Sequence, residues 1–345
     1  MKRNILIISG VLLWVLLFQA CSKSSDGPSI TAIAFKVPDN FPPPVYQFVD
    51  NEVSNNRFQL GRKLFYDPRL SLDNTISCGS CHLQSAAFSH VDHKVSHGIY
   101  GLLGTRNAPA IFNMAWQTNF FWDGGVNHME VQHIGQIQNP VEMDMNLGAL
   151  ITKLQNTSDY PGLFKTAYGS DSITSQKMLK ALAQFMALMI SSNSKYDKYI
   201  RGEAGITFTQ SELNGLNLYR QKCSSCHSEP LFTDLSYRNN GLDSVFTDDE
   251  GRAKITFDSN DLGKFKVPSL RNVAVSYPYM HNGKIRSLEK VLDHYSSGIV
   301  SSPTLDPLLT NGIPLSADEK ADLISFLETL TDYTFVSDHR FMDPN

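Results

Sequence analysis

Two copies of one five-residue pattern carry the most recognisable chemistry of this 345-residue chain: C-G-S-C-H at residues 78–82 and C-S-S-C-H at residues 223–227. In a C-x-x-C-H pattern, two thiols form thioether bonds to a porphyrin and the adjacent histidine ligates its iron, so each copy predicts one covalently attached haem c. Four thiols also match a zinc ribbon, but a ribbon does not require histidine after each second cysteine. The predicted attachment residues are Cys78, Cys81, Cys223 and Cys226, and the predicted iron ligands are His82 and His227.

Helices must position both motifs, and apolar residues at helical spacing predict one helix over residues 58–65 and another over residues 213–219. Each of these helices leads into a haem motif. Aligned through Gly61 and Gly215, the two segments resemble an internal repeat of a cytochrome c fold.

Each half also needs a helix that packs on the haem edge, and apolar faces predict such helices over residues 175–190 and 323–330. Two helix starts carry capping boxes, Thr209 with Glu212 and Ser316 with Glu319. The predicted fold is therefore mainly α, with two cytochrome c-like domains that each carry one haem c.

The N-terminus resembles a bacterial export signal. Lys2 and Arg3 precede an apolar run over residues 5–18, which is too short for a comfortable membrane span. The run ends in F-Q-A-C, similar to a lipobox, which predicts a lipoprotein signal peptide over residues 1–20 and lipidation of Cys21. An ordinary secretory signal cleaved nearby is the alternative. Both place the protein in the periplasm or cell envelope, where bacteria attach haem c.

Composition divides the rest of the chain. Ser, Pro and Asp enrichment predicts a flexible tether over residues 21–45. We expect an N-terminal haem domain over residues 46–205, a C-terminal haem domain over residues 206–335 and a tail over residues 336–345. The formal net charge is -4, a mild acidity that gives no indication of a nucleic-acid partner.

The stretch between the first haem motif and the helix over residues 175–190 contains the candidate catalytic residues Trp122, Gln132 and Glu142. A haem that cleaves peroxide needs a polar group on its open face to move a proton, and a carboxylate in an enclosed pocket can do this. By residue type alone, Glu142 fits an ordinary surface acid better than a catalytic one, and Trp122 fits a core residue better than a functional one.

Together with these residues, five segments make the sequence resemble the bacterial di-haem cytochrome c peroxidase family, which includes MauG. The likeness covers nearly all of residues 57–330. The matching segments are G-R-K-L-F-Y-D-P-R-L-S at 61–71, R-N-A-P at 106–109, F-W-D-G at 121–124, F-K-V-P-S-L-R-N-V at 265–273 and P-Y-M-H-N-G at 278–283.

The resemblance implies that the haem on His82 is the peroxidatic site and that the haem on His227 stores and relays electrons. It implies that Glu142 is the catalytic acid/base, that Gln132 is its partner in the distal pocket, and that Trp122 couples the haems electronically.

The resemblance also implies one calcium ion between the domains. The Asn107 side chain and the backbone carbonyls of Ser276 and Pro278 match the family's ligands, and all are oxygen donors.

Departures from the family pattern occur near the peroxidatic site. Gly125 follows Asp-Gly at a position where the family usually has arginine, and Gln136 stands where proline is common. The loop that bears Glu142 can therefore take a different position from the one it has in the family. Ile99 occupies the position of a distal histidine that closes some resting peroxidases. Three nearby histidines, His90, His93 and His97, fit either a solvated loop or a replacement ligand.

The sixth ligand of the second iron is also different. Typical peroxidases have methionine there, whereas the equivalent position here is Tyr295, and MauG also carries tyrosine. A phenolate favours oxidised iron and lowers its potential. Met280 and His294 are the competing ligands.

These features predict an oxidoreductase that reduces hydrogen peroxide to water with electrons from a small cytochrome c or a copper protein. A MauG-like oxidase that acts on a protein or organic substrate is the alternative, and a di-haem electron carrier without catalysis is the third hypothesis. The family suggests a homodimer, and only the lipid anchor is expected to contact a membrane.

Overall fold

The computed structural model describes residues 33–91 and 93–344, and the predicted mainly α fold is confirmed. The signal peptide over residues 1–20 and the lipidation site Cys21 lie outside the described residues. The α-helices are α1 (Asn55–Tyr66), α2 (Cys78–Cys81), α3 (His133–Gln138), α4 (Leu147–Gln155), α5 (Tyr160–Tyr168), α6 (Ser175–Ala187), α7 (Lys195–Ile200), α8 (Gln210–Lys222), α9 (Ala253–Thr256), α10 (Leu288–Asp293), α11 (Ala317–Glu328) and α12 (Tyr333–Val336).

Short elements complete the chain. Two strands, β1 (Tyr237–Arg238) and β2 (Phe265–Lys266), pair antiparallel, with Tyr237 opposite Lys266. A π-helical turn over His294–Gly298 directly follows α10. The 3₁₀ turns are Pro68–Leu70, Gln84–Ala86, Ile99–Gly101, Met114–Trp116, Ser259–Asp261, Val273–Val275 and Pro307–Leu309.

Two helix pairs form the centres of the two haem-motif regions, and a glycine sets the close approach in each. Helix α1 packs mainly on α6, and α8 packs mainly on α11. A Cβ atom at Gly61 would collide with the carbonyl oxygen of Ala181, and a Cβ atom at Gly215 would collide with that of Asp322. The two aligned glycines therefore have the same structural role.

The aromatic packing repeats in the same way. Phe65 of α1 lies 5.2 Å from Phe185 between ring centroids, and Tyr219 of α8 lies 5.1 Å from Phe326. All four side chains are fully buried. The predicted internal repeat is confirmed by this packing.

The helix ends agree closely with the sequence signals. Both predicted capping boxes are present, at the starts of α8 and α11. Helix α6 begins at Ser175 but ends at Ala187, three residues before the predicted end at Ile190. In the part of the chain that the structure describes, no helix is both long and apolar enough to cross a bilayer.

The buried apolar residues form two clusters, one around α1 and α6 and one around α8 and α11. Phe335 and Phe341 belong to the first cluster, although they lie at the end of the predicted second domain and in the predicted tail. Tyr196 belongs to the second cluster, although it precedes residue 206. The domain boundaries stay predictions, and these three side chains show that chain segments cross between the clusters.

The last part of the predicted tether is packed. The indole Nε1 of Trp116 donates a hydrogen bond to the carbonyl oxygen of Pro42, 2.7 Å away, and Phe41 is buried with its ring edge on Trp116. The predicted flexible tether therefore does not extend through residues 33–45, because the buried indole requires a hydrogen-bond acceptor that this segment provides.

Candidate functional site

The first haem motif forms the single turn of α2, which starts with a capping box between Ser77 and Ser80. His82 follows the turn, and its ring Nδ1 lies 2.7 Å from the carbonyl oxygen of Phe88. Because a carbonyl only accepts, Nδ1 carries the proton and Nε2 is left to ligate a metal. Burial lowers the pKa of His82 to about 4, so the imidazole is neutral.

The second motif repeats this arrangement. The ring Nδ1 of His227 lies 3.1 Å from the carbonyl oxygen of Pro268 and 3.3 Å from that of Phe232. The hydroxyl of Tyr219 donates to the backbone oxygen of His227. Burial lowers the pKa of His227 as well. Each motif therefore presents a neutral, oriented imidazole beside two thiols.

The cysteines of both motifs form no disulfide bonds. Over residues 33–91 and 93–344 there is no group of three or more histidine, cysteine, aspartate or glutamate side chains that could hold a metal ion, as a zinc ribbon would require. Two thiols at each motif with an imidazole oriented by a carbonyl fit covalent haem attachment.

Glu142 lies beside the first motif. Its Oε1 accepts a hydrogen bond from Nδ2 of Asn139, 3.0 Å away. Burial raises the pKa of Glu142 to about 7, and the bond from Asn139 opposes this rise. Burial and then the charge of Glu142 raise the pKa of Cys81 to about 11.

A hairpin over residues 96–104 packs against Glu142. The backbone nitrogen of Ile99 donates to the backbone oxygen of Glu142 over 2.9 Å, and the Ile99 side chain is buried. Gly98 permits this approach, because a Cβ atom there would collide with the carbonyl oxygen of Val141. The position matching the distal histidine of some relatives is thus occupied by a buried aliphatic side chain.

The three candidate histidines form a row next to the hairpin. The ring centroids of His90 and His93 are 5.2 Å apart, and those of His93 and His97 are 4.6 Å apart. His93 and His97 are exposed, whereas His90 is buried. The backbone oxygen of His97 lies 3.8 Å from the sulfur of Cys81, so the row adjoins the first motif.

Gln132 is buried immediately before α3, with its Nε2 3.7 Å from the sulfur of Met186. Gln132 therefore contacts α6, whereas Glu142 is bound by Asn139. The neighbouring His133 places Nε2 2.9 Å from the same sulfur, and burial lowers its pKa to about 4. Sequence reasoning missed His133, although it directly follows Gln132.

Trp122 is held by backbone groups from two directions. Its indole Nε1 donates to the carbonyl oxygen of Asn107, 2.8 Å away, and its own carbonyl oxygen accepts from the backbone nitrogen of Lys266, 2.7 Å away. The structure therefore brings Trp122 together with a proposed calcium ligand.

The calcium candidates also converge. Nδ2 of Asn107 lies 2.6 Å from the carbonyl oxygen of Pro278, and Oδ1 of Asn107 is buried without a hydrogen-bond partner. The nitrogen and oxygen of an asparagine amide can exchange places by a flip of the side chain. After this flip, Oδ1 of Asn107 would lie beside the carbonyl oxygen of Pro278, and both oxygens could bind the same ion. Two adjacent oxygens, from the Asn107 side chain and the Pro278 backbone, fit a hard cation such as calcium.

Near the second motif, Asn240 joins the rival iron ligands. Its Nδ2 lies 3.3 Å from the sulfur of Met280 and 3.5 Å from the hydroxyl oxygen of Tyr295. Burial raises the pKa of Tyr295, the hydrogen bond from Asn240 opposes this rise, and the charges of Cys223 and Cys226 add to it.

His294 is less suited to iron ligation. Its Nε2 lies 3.0 Å from the carbonyl oxygen of Asn240, so that nitrogen is already bonded to the backbone. The structure therefore weakens His294 as a ligand and leaves Tyr295 and Met280 as rivals.

The loop that follows Trp122 is bound by two arginines. Nη1 of Arg106 lies 2.5 Å from Oδ2 of Asp123, and Nη1 of Arg252 donates to the carbonyl oxygens of Asp123 and Gly124 over 2.8 and 3.1 Å. Gly125 takes the place of the usual arginine, and a guanidinium from the C-terminal half of the chain reaches the same loop.

Comparison with known proteins gives consistent matches. Residues 55–205 match the family described as di-haem cytochrome c peroxidase. The chain is 34% identical over 302 residues to the methylamine utilization protein MauG of Methylorubrum extorquens, covering 86% of this chain and 83% of that protein. It is 32% identical over 278 residues to the cytochrome c551 peroxidase of Nitrosomonas europaea, covering 79% of each.

Among solved structures, the chain is similar to a MauG-like protein associated with microbial copper homeostasis. The TM-score is 0.83 at 35% identity, and the match covers 91% of this chain and 99% of that one.

Proposed function

The chain belongs to the di-haem cytochrome c peroxidase and MauG family, and on this premise we propose that it reduces hydrogen peroxide to water. Haem c held by Cys78, Cys81 and His82 would supply the iron that binds peroxide and takes up its oxidising equivalents. The observation that carries the proposal is the position of the half-buried Glu142 next to the hairpin over residues 96–104, which adjoins this motif, together with the burial that raises the pKa of its carboxyl group to about 7.

Glu142 acts as the general base and then as the general acid. Cleaving the O–O bond to release water requires a proton to move from the inner peroxide oxygen to the outer one. A carboxyl group with a pKa of about 7 both accepts and returns a proton efficiently at neutral pH. Asn139 orients the carboxylate by donating to Oε1. Gln132 is buried ahead of α3, and the resemblance to the family assigns it to the distal pocket as the partner of Glu142.

Trp122 provides the path for electrons from the C-terminal haem, held by Cys223, Cys226 and His227. Hydrogen bonds to Asn107 and Lys266 fix the indole, which supports a bridging role. A small cytochrome c or a copper protein supplies the electrons.

One calcium ion binds at Asn107 and the backbone oxygens of Ser276 and Pro278. The support is the buried, unpartnered Oδ1 of Asn107 next to the carbonyl oxygen of Pro278. The ion would link a segment near the first motif to one that follows β2.

A MauG-like oxidase is the second candidate function. Tyr295 is half-buried, with its hydroxyl oxygen 3.5 Å from Nδ2 of Asn240, and as an iron ligand its phenolate would lower the potential of the second haem. The MauG of Methylorubrum extorquens and the MauG-like protein of known structure are both among the similar proteins. In this case the oxidising equivalents of peroxide would be used on a protein or organic substrate.

For location, we infer export by the signal over residues 1–20 and lipid attachment at Cys21, as the lipobox-like sequence indicates. The protein would then act in the periplasm or at the cell envelope.

The first test is spectroscopic. Optical and EPR spectra of the oxidised holoprotein, before and after one equivalent of peroxide, separate the hypotheses. A high-spin haem that reacts at once indicates an open site, as the aliphatic Ile99 suggests. Rapid turnover with reduced cytochrome c then supports the peroxidase, and slow turnover supports the MauG-like oxidase. Failure to bind peroxide or cyanide would leave only the electron-carrier hypothesis.

A further inference from the structure

Lys266 holds the segment that carries Trp122 at three points. Its Nζ lies 2.6 Å from Oε1 of Gln117 and 2.8 Å from the carbonyl oxygen of Asn119, and its backbone nitrogen lies 2.7 Å from the carbonyl oxygen of Trp122. One residue of β2 thus bonds to both ends of residues 117–122.

Lys266 also belongs to the framework of the second motif. It pairs with Tyr237 of β1, and β1 begins ten residues after His227. Movement of β2 relative to the Trp122 segment would therefore change the separation between the indole and the second motif. Electron transfer through a side chain depends steeply on such separations.

Two effects of the surroundings act on the pKa of Lys266. Burial is the main influence and lowers the pKa of Lys266 to about 7, while the carboxylate of Asp123 opposes this. Asp123 itself is paired with Arg106, and Arg252 is bonded to the backbone of Asp123. An ammonium ion here disfavours removal of an electron from the nearby indole, whereas a neutral amine does not.

We propose that Lys266 is a positioning residue for Trp122, and that its Nζ clamp on Gln117 and Asn119 sets the rate of electron transfer between the two haem halves. This rests on the bridging role proposed for Trp122. The step is a transfer of one electron, in which the C-terminal half is oxidised, the N-terminal half is reduced and no covalent bond changes.

The variant Lys266→Met tests the clamp, because it keeps the aliphatic stem and the backbone donor but removes both Nζ hydrogen bonds. In the half-reduced holoprotein mixed with peroxide, we expect oxidation of the second haem to slow at least about tenfold, since a displacement of about 1 Å in a reacting group can cost more than that. Hydrogen exchange of residues 113–124 should rise, and peroxide binding should be unchanged.

Two further variants separate the clamp from general damage. Lys264→Met is the matched control, because Lys264 makes a surface ion pair with Asp261 at 3.2 Å, and both readouts should stay as in the wild type. Lys266→Arg retains a cationic donor and should recover part of the rate. If Lys266→Met does not fold, Lys266→Gln, which keeps a shorter donor, replaces it.

The double variant Lys266→Met with Trp122→Phe distinguishes the failure of each proposal. If Lys266 acts through Trp122, the double variant transfers electrons no more slowly than Trp122→Phe alone. A slow Trp122→Phe variant with a normal Lys266→Met variant overturns the role of Lys266. If Trp122→Phe transfers electrons at the wild-type rate, the bridging role of Trp122 is wrong, and so is the proposed effect of Lys266 on electron transfer. In that case hydrogen exchange alone decides whether Lys266 clamps the segment.

The pH profile gives a readout that a purely structural role would not move. In the wild type the transfer rate should rise as pH increases through about 7, where Lys266 loses its charge. At peroxide concentrations where electron transfer, and not the step assisted by Glu142, limits the rate, the profile should be flat in Lys266→Met. An unchanged profile in that variant would contradict an electrostatic influence of Lys266 on the indole.

Discussion

The indole Nε1 of Trp122 donates a hydrogen bond to the carbonyl oxygen of Asn107, 2.8 Å away. The side chain of the same asparagine reaches the carbonyl oxygen of Pro278. The proposed electron path and the proposed calcium site therefore share one residue. A change at the metal site should be felt at the indole, because both depend on the position of Asn107.

Removing calcium should lower the thermal unfolding temperature and slow electron transfer between the haems. An ion that binds only the folded state stabilises it by an amount that grows with the logarithm of the free ion concentration, and its loss frees the Asn107 side chain. Differential scanning calorimetry and stopped-flow spectroscopy after chelation measure the two effects. Added Ca²⁺ should restore both, whereas Mg²⁺ should not, since it demands a smaller octahedral site.

Asn107→Ala provides the control for chelation. This variant lacks the side-chain oxygen and should already behave like the chelated wild type, with little further response to chelator. A wild-type protein whose unfolding temperature and transfer rate ignore the chelator would contradict the calcium site.

Replacing Glu142 by glutamine should reduce peroxide turnover by about 10² to 10⁴, the usual contribution of a general acid/base. The amide keeps the size of the side chain but cannot accept and return the proton. Asp144→Asn is a matched control, since Asp144 lies two residues away and has a left-handed backbone conformation that asparagine tolerates. Wild-type turnover in Glu142→Gln would show that another group moves the proton.

The pH dependence should identify the same carboxyl group. Because burial raises the pKa of Glu142 to about 7 and the base must be ionised, kcat/KM for peroxide should rise with pH through about 7. Asn139→Leu removes the hydrogen bond that favours the carboxylate, so this limb should move to higher pH. The limb should be absent in Glu142→Gln, and a limb that persists there would belong to another residue.

The same shift predicts the direction of a stability change. The pKa of Glu142 in the folded protein is raised from 4.5, so this group stabilises the fold at low pH and loses that contribution as pH rises to about 7. Glu142→Gln should therefore lose less unfolding free energy over this interval than the wild type, as urea titrations at several pH values can measure.

The elements that sequence predicted best are those fixed by local rules. The capping boxes at Thr209 and Ser316 are present, and the aligned Gly61 and Gly215 mark the two close helix contacts. Helix starts and close contacts depend on residue types at short spacing, which can be recognised from one sequence.

The sequence did not predict the contacts between segments that are far apart along the chain. Lys266 follows Gln117 by 149 residues, and the aromatic side chain of Phe341 is buried by α1 and α6 rather than free in a tail. Asn139 lies only three residues before Glu142, directly after α3. This short spacing was the one feature of the sequence that could have identified it as the hydrogen-bond donor to Glu142. Such pairings depend on tertiary packing, which periodicity does not encode.

The identity of the sixth ligand at the second haem can be decided by paired variants. Asn240 lies between the Met280 sulfur and the Tyr295 hydroxyl, so each side chain is placed to compete for the same region. Burial raises the pKa of Tyr295 and opposes a phenolate, but a ferric ion would stabilise that anion.

If tyrosine is the ligand, Tyr295→Phe should raise the midpoint potential of this haem by roughly 100 mV or more, within the span of roughly 0.8 V that axial ligands cover. Met280→Leu and the neighbouring control Tyr279→Phe should leave the potential near the wild-type value. Spectroelectrochemical titration measures all three, and a large shift in Met280→Leu with none in Tyr295→Phe would assign the methionine instead and favour the peroxidase over the MauG-like oxidase.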